Sequence, residues 1–209
     1  MSGPATAPAG ARRLTQVGVM AAASLVAMLT IRFPIVPGAT FLKYDPSDAV
    51  GLLAGRTMGP GAGVSTVLLK DVLFWLLRGT DPFGPLADFL AAATFVGVAS
   101  AVAHRLWPTD DGETTVRRPA LRPLHAGALP AMALGVAVGT AARVVVMALA
   151  NFPILYLEMG MPPARVAALM WPAIVPFNAL KGLLNGALAM VLAAALVRRH
   201  AVVAPHRSS

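Results

Sequence analysis

Long runs of apolar residues without a charge dominate this sequence. The first run, residues 14–31, follows Arg12 and Arg13 and contains no charged side chain. A helix rises about 1.5 Å per residue, so a run of this length nearly crosses a hydrocarbon layer of about 30 Å. Hydrophobic residues make up 57% of the chain and charged residues only 12%, which is unusual for a soluble domain. The chain is therefore predicted to be an all-α integral membrane protein.

The remaining runs predict how many helices the bundle contains. A short helix is predicted at residues 46–56, and Gly59-Pro60-Gly61 separates it from an apolar run that ends at residue 77. Three longer runs cover residues 83–103, 126–150 and 166–197. The short helix cannot span a membrane alone, but with it included we expect six transmembrane helices in one bundle. The chain is then a single domain, residues 1–209, with a loop at 104–125 and mobile tails at 1–11 and 200–209.

The charged loops predict the orientation of this bundle. An even number of spans puts both termini on one side of the membrane, together with the loop at 104–125. That side collects ten Lys and Arg residues: Arg12, Arg13, Arg56, Arg105, Arg117, Arg118, Arg122, Arg198, Arg199 and Arg207. The other side has four: Arg32, Lys43, Arg78 and Arg165. By the positive-inside rule, both termini of this cell-membrane protein are predicted to be cytoplasmic.

Several classes of function are not expected from this sequence. The net charge is +8, but the Lys and Arg residues lie between apolar runs instead of on one face, so no nucleic-acid partner is predicted. Cysteine is absent and the four histidines lie at or beyond the span ends, which argues against a metal site or a catalytic base. The segment at 59–63, GPGAG, lacks the Gly-Lys-Ser/Thr of a phosphate-binding loop. We expect neither an enzyme nor a cofactor.

Five charged residues lie inside the predicted spans: Lys70, Asp71, Asp88, Arg143 and Lys181. A charge at membrane depth costs a few kcal/mol, so each should face the bundle, a cavity or the interface. Lys70, Asp71 and Arg143 are predicted to form ion pairs within the bundle, with Lys70 and Asp71 serving different partners because adjacent helical residues diverge by about 100°. Three cations against two carboxylates would leave one cation without a fixed counter-charge, which would suit a polar ligand.

Asn178 and Lys181 are three residues apart, so they lie on one face of the last predicted helix. Pro176 precedes them and can free a backbone carbonyl where the helix lines a cavity. The pair is consistent with a ligand-binding patch, although Asn178 could equally bond a neighbouring helix. On the first helix, Ala23 and Ala27 are small residues four positions apart, a spacing that permits close approach of another helix or internal packing.

Several motifs, in a fixed order, resemble the substrate-binding S components of energy-coupling factor (ECF) vitamin transporters, in particular the riboflavin-specific type. They are ATFLKYDPSD at 39–48, GPGAG at 59–63, Lys70, GPLADFL at 84–90 and PFNALKG at 176–182. The resemblance runs from about residue 12 to residue 198. It implies a membrane subunit that captures riboflavin or a related flavin from outside. Delivery to the cytoplasm would require a transmembrane coupling subunit and two ATPase subunits.

The same resemblance implies roles for particular residues. Ala39, Thr40, Phe41 and Leu42 would close over the ligand. Asn151, Asn178 and Lys181 would form hydrogen bonds with the flavin. Ala23 and Ala27 would contact the coupling subunit. Riboflavin would be the transported ligand of this lipid-embedded chain.

Three residues depart from the pattern of the riboflavin subunits. Pro85 stands where a glutamate is common, and Asp71 and Asp88 stand where asparagines are common. Asp88 is therefore predicted to influence which ligand is accepted. An S component for another vitamin or small solute is one alternative, and a membrane protein with a purely structural role is another.

Overall fold

The computed structural model describes residues 9–79, 81–107 and 128–203, which are mostly helical. The helices are α1 (Ala9–Thr30), α2 (Ser47–Met58), α3 (Pro60–Arg78), α4 (Phe83–Leu106), α5 (Leu129–Met159), α6 (Pro163–Leu169) and α7 (Val175–Val203). A π-helical turn, Met170–Ile174, joins α6 to α7. The outer parts of both predicted tails and most of the predicted loop at 104–125 lie outside the described residues. Residues 9–11 and 200–203 are helical, and residues 104–106 belong to α4.

Within the described residues, five apolar stretches are long enough to cross a membrane, which confirms the prediction of a helical, multi-span chain. They are Gly10–Thr30, Pro60–Arg78, Phe83–Leu106, Leu129–Met159 and Pro163–Arg198. The remaining one of the six predicted helices, α2, has 12 residues and rises only about 18 Å. Of these 12 residues, 11 are buried, so α2 lies inside the bundle and not against lipid. Arg56, predicted among the solvated loop charges, is 2% exposed within α2.

Helices α2 and α3 form a hairpin whose backbones touch. Gly59 has φ of +100° and ends α2, while Pro60 occupies the first turn of α3. A side-chain carbon added to Gly63 would lie 2.7 Å from the Cα of Gly55 and 2.9 Å from the carbonyl oxygen of Gly51. Only hydrogen fits between these backbones. The glycines therefore allow a short helix to pack inside the bundle against its own return helix.

The segment between α1 and α2, residues 31–46, is an ordered cap over one end of the bundle, and we call it the cap loop. Two short antiparallel strands, Phe33–Pro34 and Lys43–Tyr44, form its base. At its tip, the Leu42 N–H donates to the carbonyl oxygen of Ala39 at 3.0 Å. The buried Ala39 and Leu42 pack against Ala173 and Phe177. The cap loop therefore rests on the π-helical turn and the start of α7.

Two prolines explain the irregular start of the last apolar stretch. Pro172 and Pro176 have no N–H group, so neither can donate the usual bond to the carbonyl four residues earlier. Val175 instead donates its N–H to the carbonyl of Met170, five residues back. Pro176 predicts a local departure from α-helical hydrogen bonding, and the structure shows such a departure throughout residues 170–174.

Close helix packing at Gly63 can be tested against a neighbouring glycine. We expect Gly63→Ala to lower the free energy of unfolding by about 1–3 kcal/mol, because the added methyl group must displace backbone. Gly61→Ala is the matched control in the same helix, since nothing lies within 4 Å of a methyl group there. Thermal unfolding of the two variants in detergent compares them. Equal melting temperatures would contradict the close contact.

Candidate functional site

A cavity of about 640 Å³ lies beneath the cap loop. Its walls come from the cap loop and from residues of α1, α3, α4, α5 and α7. Six of the eight predicted substrate-binding residues line it: Thr40, Phe41, Leu42, Asp88, Asn151 and Asn178. Ala39 is instead buried in the contact between the cap loop and α7, and Lys181 lies behind Asp88.

The cavity combines apolar walls with a charged mouth. Phe74, Met147 and Phe177 contribute aromatic and flexible apolar surface. Arg32 of the cap loop and Arg78 at the end of α3 both approach the Phe74 ring, with guanidinium carbons 4.5 Å and 5.8 Å from its centroid. These cation–π contacts orient both guanidinium groups at the mouth. The site can therefore hold a flat, largely apolar molecule with polar groups at its edge.

Asp88 is held at the cavity by two lysines. Its Oδ1 accepts a hydrogen bond from Lys181 Nζ at 2.7 Å, and its Oδ2 accepts one from Lys70 Nζ at 2.6 Å. Lys181 Nζ also donates to Asp45 Oδ2 at 2.8 Å. The Lys181 side chain is 1% exposed, so its charge is neutralised by two carboxylates inside the protein.

A second set of ion pairs surrounds Asp48 at the start of α2. Arg143 Nη1 donates to Asp48 Oδ2 at 2.6 Å, and Lys70 Nζ lies 3.8 Å from Asp48 Oδ1. Lys70 Nζ is also 3.1 Å from Asp71 Oδ1. The predicted pairing of Lys70, Asp71 and Arg143 within the bundle is confirmed. The expectation that Lys70 and Asp71 serve different partners is wrong, because the long lysine side chain bends back towards its neighbour.

Together these residues form one charge cluster: Asp45, Asp48, Lys70, Asp71, Asp88, Arg143 and Lys181. It contains four carboxylates and three cations, so the predicted cation without a counter-charge is wrong. Asp45 and Asp48 were missed as partners because their sequence position assigns them to a loop and a helix start outside the spans. Burial raises the pKa of Asp45, but the Lys181 ammonium lowers it, and the net shift is downward, so Asp45 stays ionised.

Asn185 is a further polar residue of α7 that the sequence analysis did not assign. Its Nδ2 donates to the backbone carbonyl of Asp45 at 2.9 Å, and its Oδ1 accepts from the Ala49 N–H at 3.2 Å. It therefore fixes the start of α2 to α7. Asn178, Lys181 and Asn185 follow each other at spacings of three and four, so the shared helix face was a usable signal.

Each of the two asparagines at the cavity donates a hydrogen bond to the backbone carbonyl four residues earlier. Asn151 Nδ2 donates to the Met147 carbonyl at 2.6 Å, and Asn178 Nδ2 donates to the Ile174 carbonyl at 2.9 Å. Asn178 Oδ1 accepts from Arg143 Nε at 3.1 Å. An amide has two N–H groups and an oxygen with two lone pairs, so both side chains retain hydrogen-bonding capacity for a ligand.

The predicted partner-binding residues lie away from the cavity, on the outer face of α1. Ala23 is exposed and Ala27 is half-buried. Gly18 lies one turn before Ala22, and nothing within 4 Å would meet a side chain at Gly18. This face of α1 therefore carries small residues that other parts of the described chain leave largely uncovered.

Loss of Lys181 should destabilise the bundle strongly. Lys181→Ala leaves two buried carboxylates without their shared partner, a change that typically costs about 3–5 kcal/mol. Arg165→Ala is a suitable control because Arg165 is exposed at the start of α6. The yield of monodisperse protein and its melting temperature measure the effect. A variant at Lys181 that unfolds like the wild type would contradict the double ion pair.

Comparison with known proteins provides an independent view of this fold and site. Residues 12–193 match the family of ECF transporter, substrate-specific components. The chain is 40% identical over 91 residues to the riboflavin transporter RibU of Staphylococcus aureus, covering 44% of this chain and 48% of that protein. It is 25% identical over 182 residues to the riboflavin transporter FmnP of Bacillus subtilis, covering 82% of this chain and 85% of that protein. The alignment with the Staphylococcus aureus protein thus spans about half of that relative's length.

A solved structure agrees with the sequence matches. The S component of a bacterial ECF transporter has a TM-score of 0.70 to this chain at 28% identity, covering 91% of this chain and 98% of the other. The family match extends over most of the sequence and includes the cap loop, the charge cluster and the cavity. This multi-pass membrane protein belongs to the family of substrate-specific components of ECF transporters.

Proposed function

We propose that this chain is a riboflavin-binding subunit that captures riboflavin, or a closely related flavin, and delivers it with an ATP-driven ECF module. The observation that carries the proposal is the cavity of about 640 Å³ with apolar walls and a few buried polar groups. Such a volume and lining are typical of sites for small organic molecules. The isoalloxazine ring of a flavin has two apolar faces and one edge of carbonyl and ring nitrogen groups, which matches this lining.

The polar residues at the cavity suit that edge. Asn151 and Asn178 can each donate and accept hydrogen bonds, whereas an ionised Asp88 can only accept. Because Lys70 and Lys181 neutralise Asp88, its carboxylate can accept a hydrogen bond from a ligand N–H without carrying a bare buried charge. We propose that Lys181 acts on the ligand through Asp88. Asp88 then helps to select the ligand, and the cap loop residues Ala39 to Leu42 close the site.

Two relatives that are named riboflavin transporters support this choice of ligand over another vitamin. A purely structural membrane protein would gain no stability from a cavity of this size, because unfilled space weakens packing. The cavity therefore favours a binding function over a purely structural one. Riboflavin is the cargo in this proposal, and the chain itself needs no cofactor and performs no catalysis.

Six spans, with α2 counted as a partial one, would put both termini in the cytoplasm. Arg56 is buried inside the bundle, so it is not counted among the loop charges on either side of the membrane. The proposed cytoplasmic side still has nine Lys and Arg residues and the outer side four, as the positive-inside rule requires. In this orientation, the cap loop and the cavity face the outside of the cell membrane, where the vitamin would be captured.

ATP hydrolysis would take place on partner subunits. We propose that a transmembrane coupling subunit docks on the α1 face that contains Ala23 and Ala27 and that two ATPases drive the module. Only 22% of the most apolar stretch of α1 is buried, compared with 33–39% for the corresponding stretches of the other candidate spans. The exposed small residues would let a partner helix approach closely.

Binding of riboflavin tests the proposed function directly. We expect the detergent-purified protein to quench riboflavin fluorescence, and Asn178→Ala to raise the dissociation constant by about one to two orders of magnitude through a lost buried hydrogen bond. Asn185→Ala is the matched control on the same helix, since Asn185 fixes α2 and does not line the cavity. It should lower the melting temperature and leave the affinity of the folded protein nearly unchanged. Unchanged fluorescence at micromolar protein would refute riboflavin as the ligand.

The docking face can be tested separately from ligand binding. We expect Ala27→Trp to abolish cellular riboflavin uptake and co-purification of the coupling subunit, because the indole ring would separate the two helices. Riboflavin affinity should be unchanged, since Ala27 lies outside the cavity. Ala141→Trp, at an exposed position of α5, is the control and should support normal uptake. Normal uptake by the α1 variant would exclude this face.

A further inference from the structure

Arg143 has a position that an ion pair alone does not explain. It is 1% exposed, yet it lines the cavity next to Asn178. Its pairing with Asp48 accounts for its charge, but the guanidinium group also contacts a residue of the candidate site. Lys181, the cation that the resemblance assigns to the ligand, does not line the cavity. The positive charge next to Asn178 at the cavity wall therefore comes from α5.

The guanidinium group joins two partners through different nitrogens. Nη1 donates to Asp48 Oδ2 at 2.6 Å, and Nε donates to Asn178 Oδ1 at 3.1 Å. The group has five N–H donors, so three remain after these two bonds. Because it is planar, anchoring at Asp48 also fixes the direction of the Nε–H towards Asn178.

This arrangement allows only one orientation of the Asn178 amide. An asparagine amide that turns by 180° exchanges its donor and its acceptor. Here Arg143 Nε requires the oxygen on one side, while the Ile174 carbonyl, 2.9 Å from Nδ2, requires the nitrogen on the other. A flip would break both bonds and bring donor against donor and acceptor against acceptor. The donor and acceptor that Asn178 presents to the cavity are therefore fixed.

We infer that Arg143 is a positioning residue that determines ligand specificity, by holding the Asn178 amide in the single orientation that matches an imide edge. An imide edge is a carbonyl, an N–H and a second carbonyl in sequence, as in the pyrimidine part of a flavin. The inference rests on the proposed function. Asp48 keeps the local charge neutral, so Arg143 acts on the ligand through its bond to Asn178.

Arg143→Lys separates positioning from ion pairing. One ammonium group can still neutralise Asp48, but it cannot reproduce the rigid double contact of the guanidinium group. We expect a melting temperature close to that of the wild type and a riboflavin dissociation constant raised about tenfold. In an Asn178→Ala background, the same substitution should change the dissociation constant by less than about twofold, because the two residues act as a unit. The absorption spectrum of bound riboflavin should also shift towards that of the free flavin.

A compensated double variant covers the case in which Arg143→Lys does not fold. R143Q/D48N removes both charges together and leaves no unpaired buried ion, but it loses the charged donor to Asn178. We expect it to fold and to bind riboflavin about tenfold more weakly. A measurement on the wild type needs no variant: riboflavin methylated at the imide nitrogen should bind at least about tenfold more weakly than riboflavin.

The outcomes distinguish this inference from the proposed function. A wild-type protein that does not bind riboflavin refutes the proposed function itself. A wild-type protein that binds riboflavin, together with variants of unchanged affinity and spectrum, overturns only the role of Arg143. Additive effects of the Arg143 and Asn178 substitutions, or equal affinity for the methylated flavin, would overturn it as well.

Discussion

The charge cluster determines how the segments of this bundle can be joined. An ion inside a membrane protein is tolerated when it has a partner at hydrogen-bonding distance. Lys181 links α7 to the cap loop and to α4, and Arg143 links α5 to α2. Lys70 links α3 to α4. Helix α2 is too short to be positioned by a full membrane span, and Asp48 anchors its first turn. The cluster also separates the cavity from an apolar core formed by α2, α3, α4, α5 and α7.

The cavity wall at Asp88 and the cap loop at Asp45 are connected through one lysine. Lys181 donates to Asp88, which lines the cavity, and to Asp45, which lies in the cap loop just before its last residue. A hydrogen bond from a ligand to Asp88 would therefore reach the same carboxylate that holds Lys181, at a lone pair that the lysines leave free. Arg143 makes the equivalent connection on the other side, between Asn178 and the start of α2. Asp88 is thus connected to the cap loop through Lys181, and Asn178 is connected to α2 through Arg143.

The amino-acid pattern predicts the helices well where burial in lipid alone defines them. The predicted run at 83–103 corresponds to α4, and the break at Gly59 is present. The pattern fails where the chain folds back into the bundle. Asp45 and Asp48 lie in a segment whose prolines and charges are typical of a solvated loop. That local composition contains no information on the lysines and the arginine, distant in sequence, that make their burial possible.

In the candidate site, the sequence predicts which way a side chain points from its helix but not how deep in the bundle it lies. Helical periodicity correctly puts Asn178 and Lys181 on one face of α7, but three residues of helix also separate them by about 4.5 Å along its axis. At the level of Asn178 this face meets the cavity, and one turn further it meets Asp45 and Asp88. The resemblance assigns Lys181 to the ligand, whereas its two carboxylates hold it in the cluster. Arg143 was predicted only as an ion pair because a single sequence position cannot show that one planar group serves a carboxylate and an amide together. Which polar residues reach the cavity therefore depends on their depth in the bundle, and that depth depends on how neighbouring helices pack.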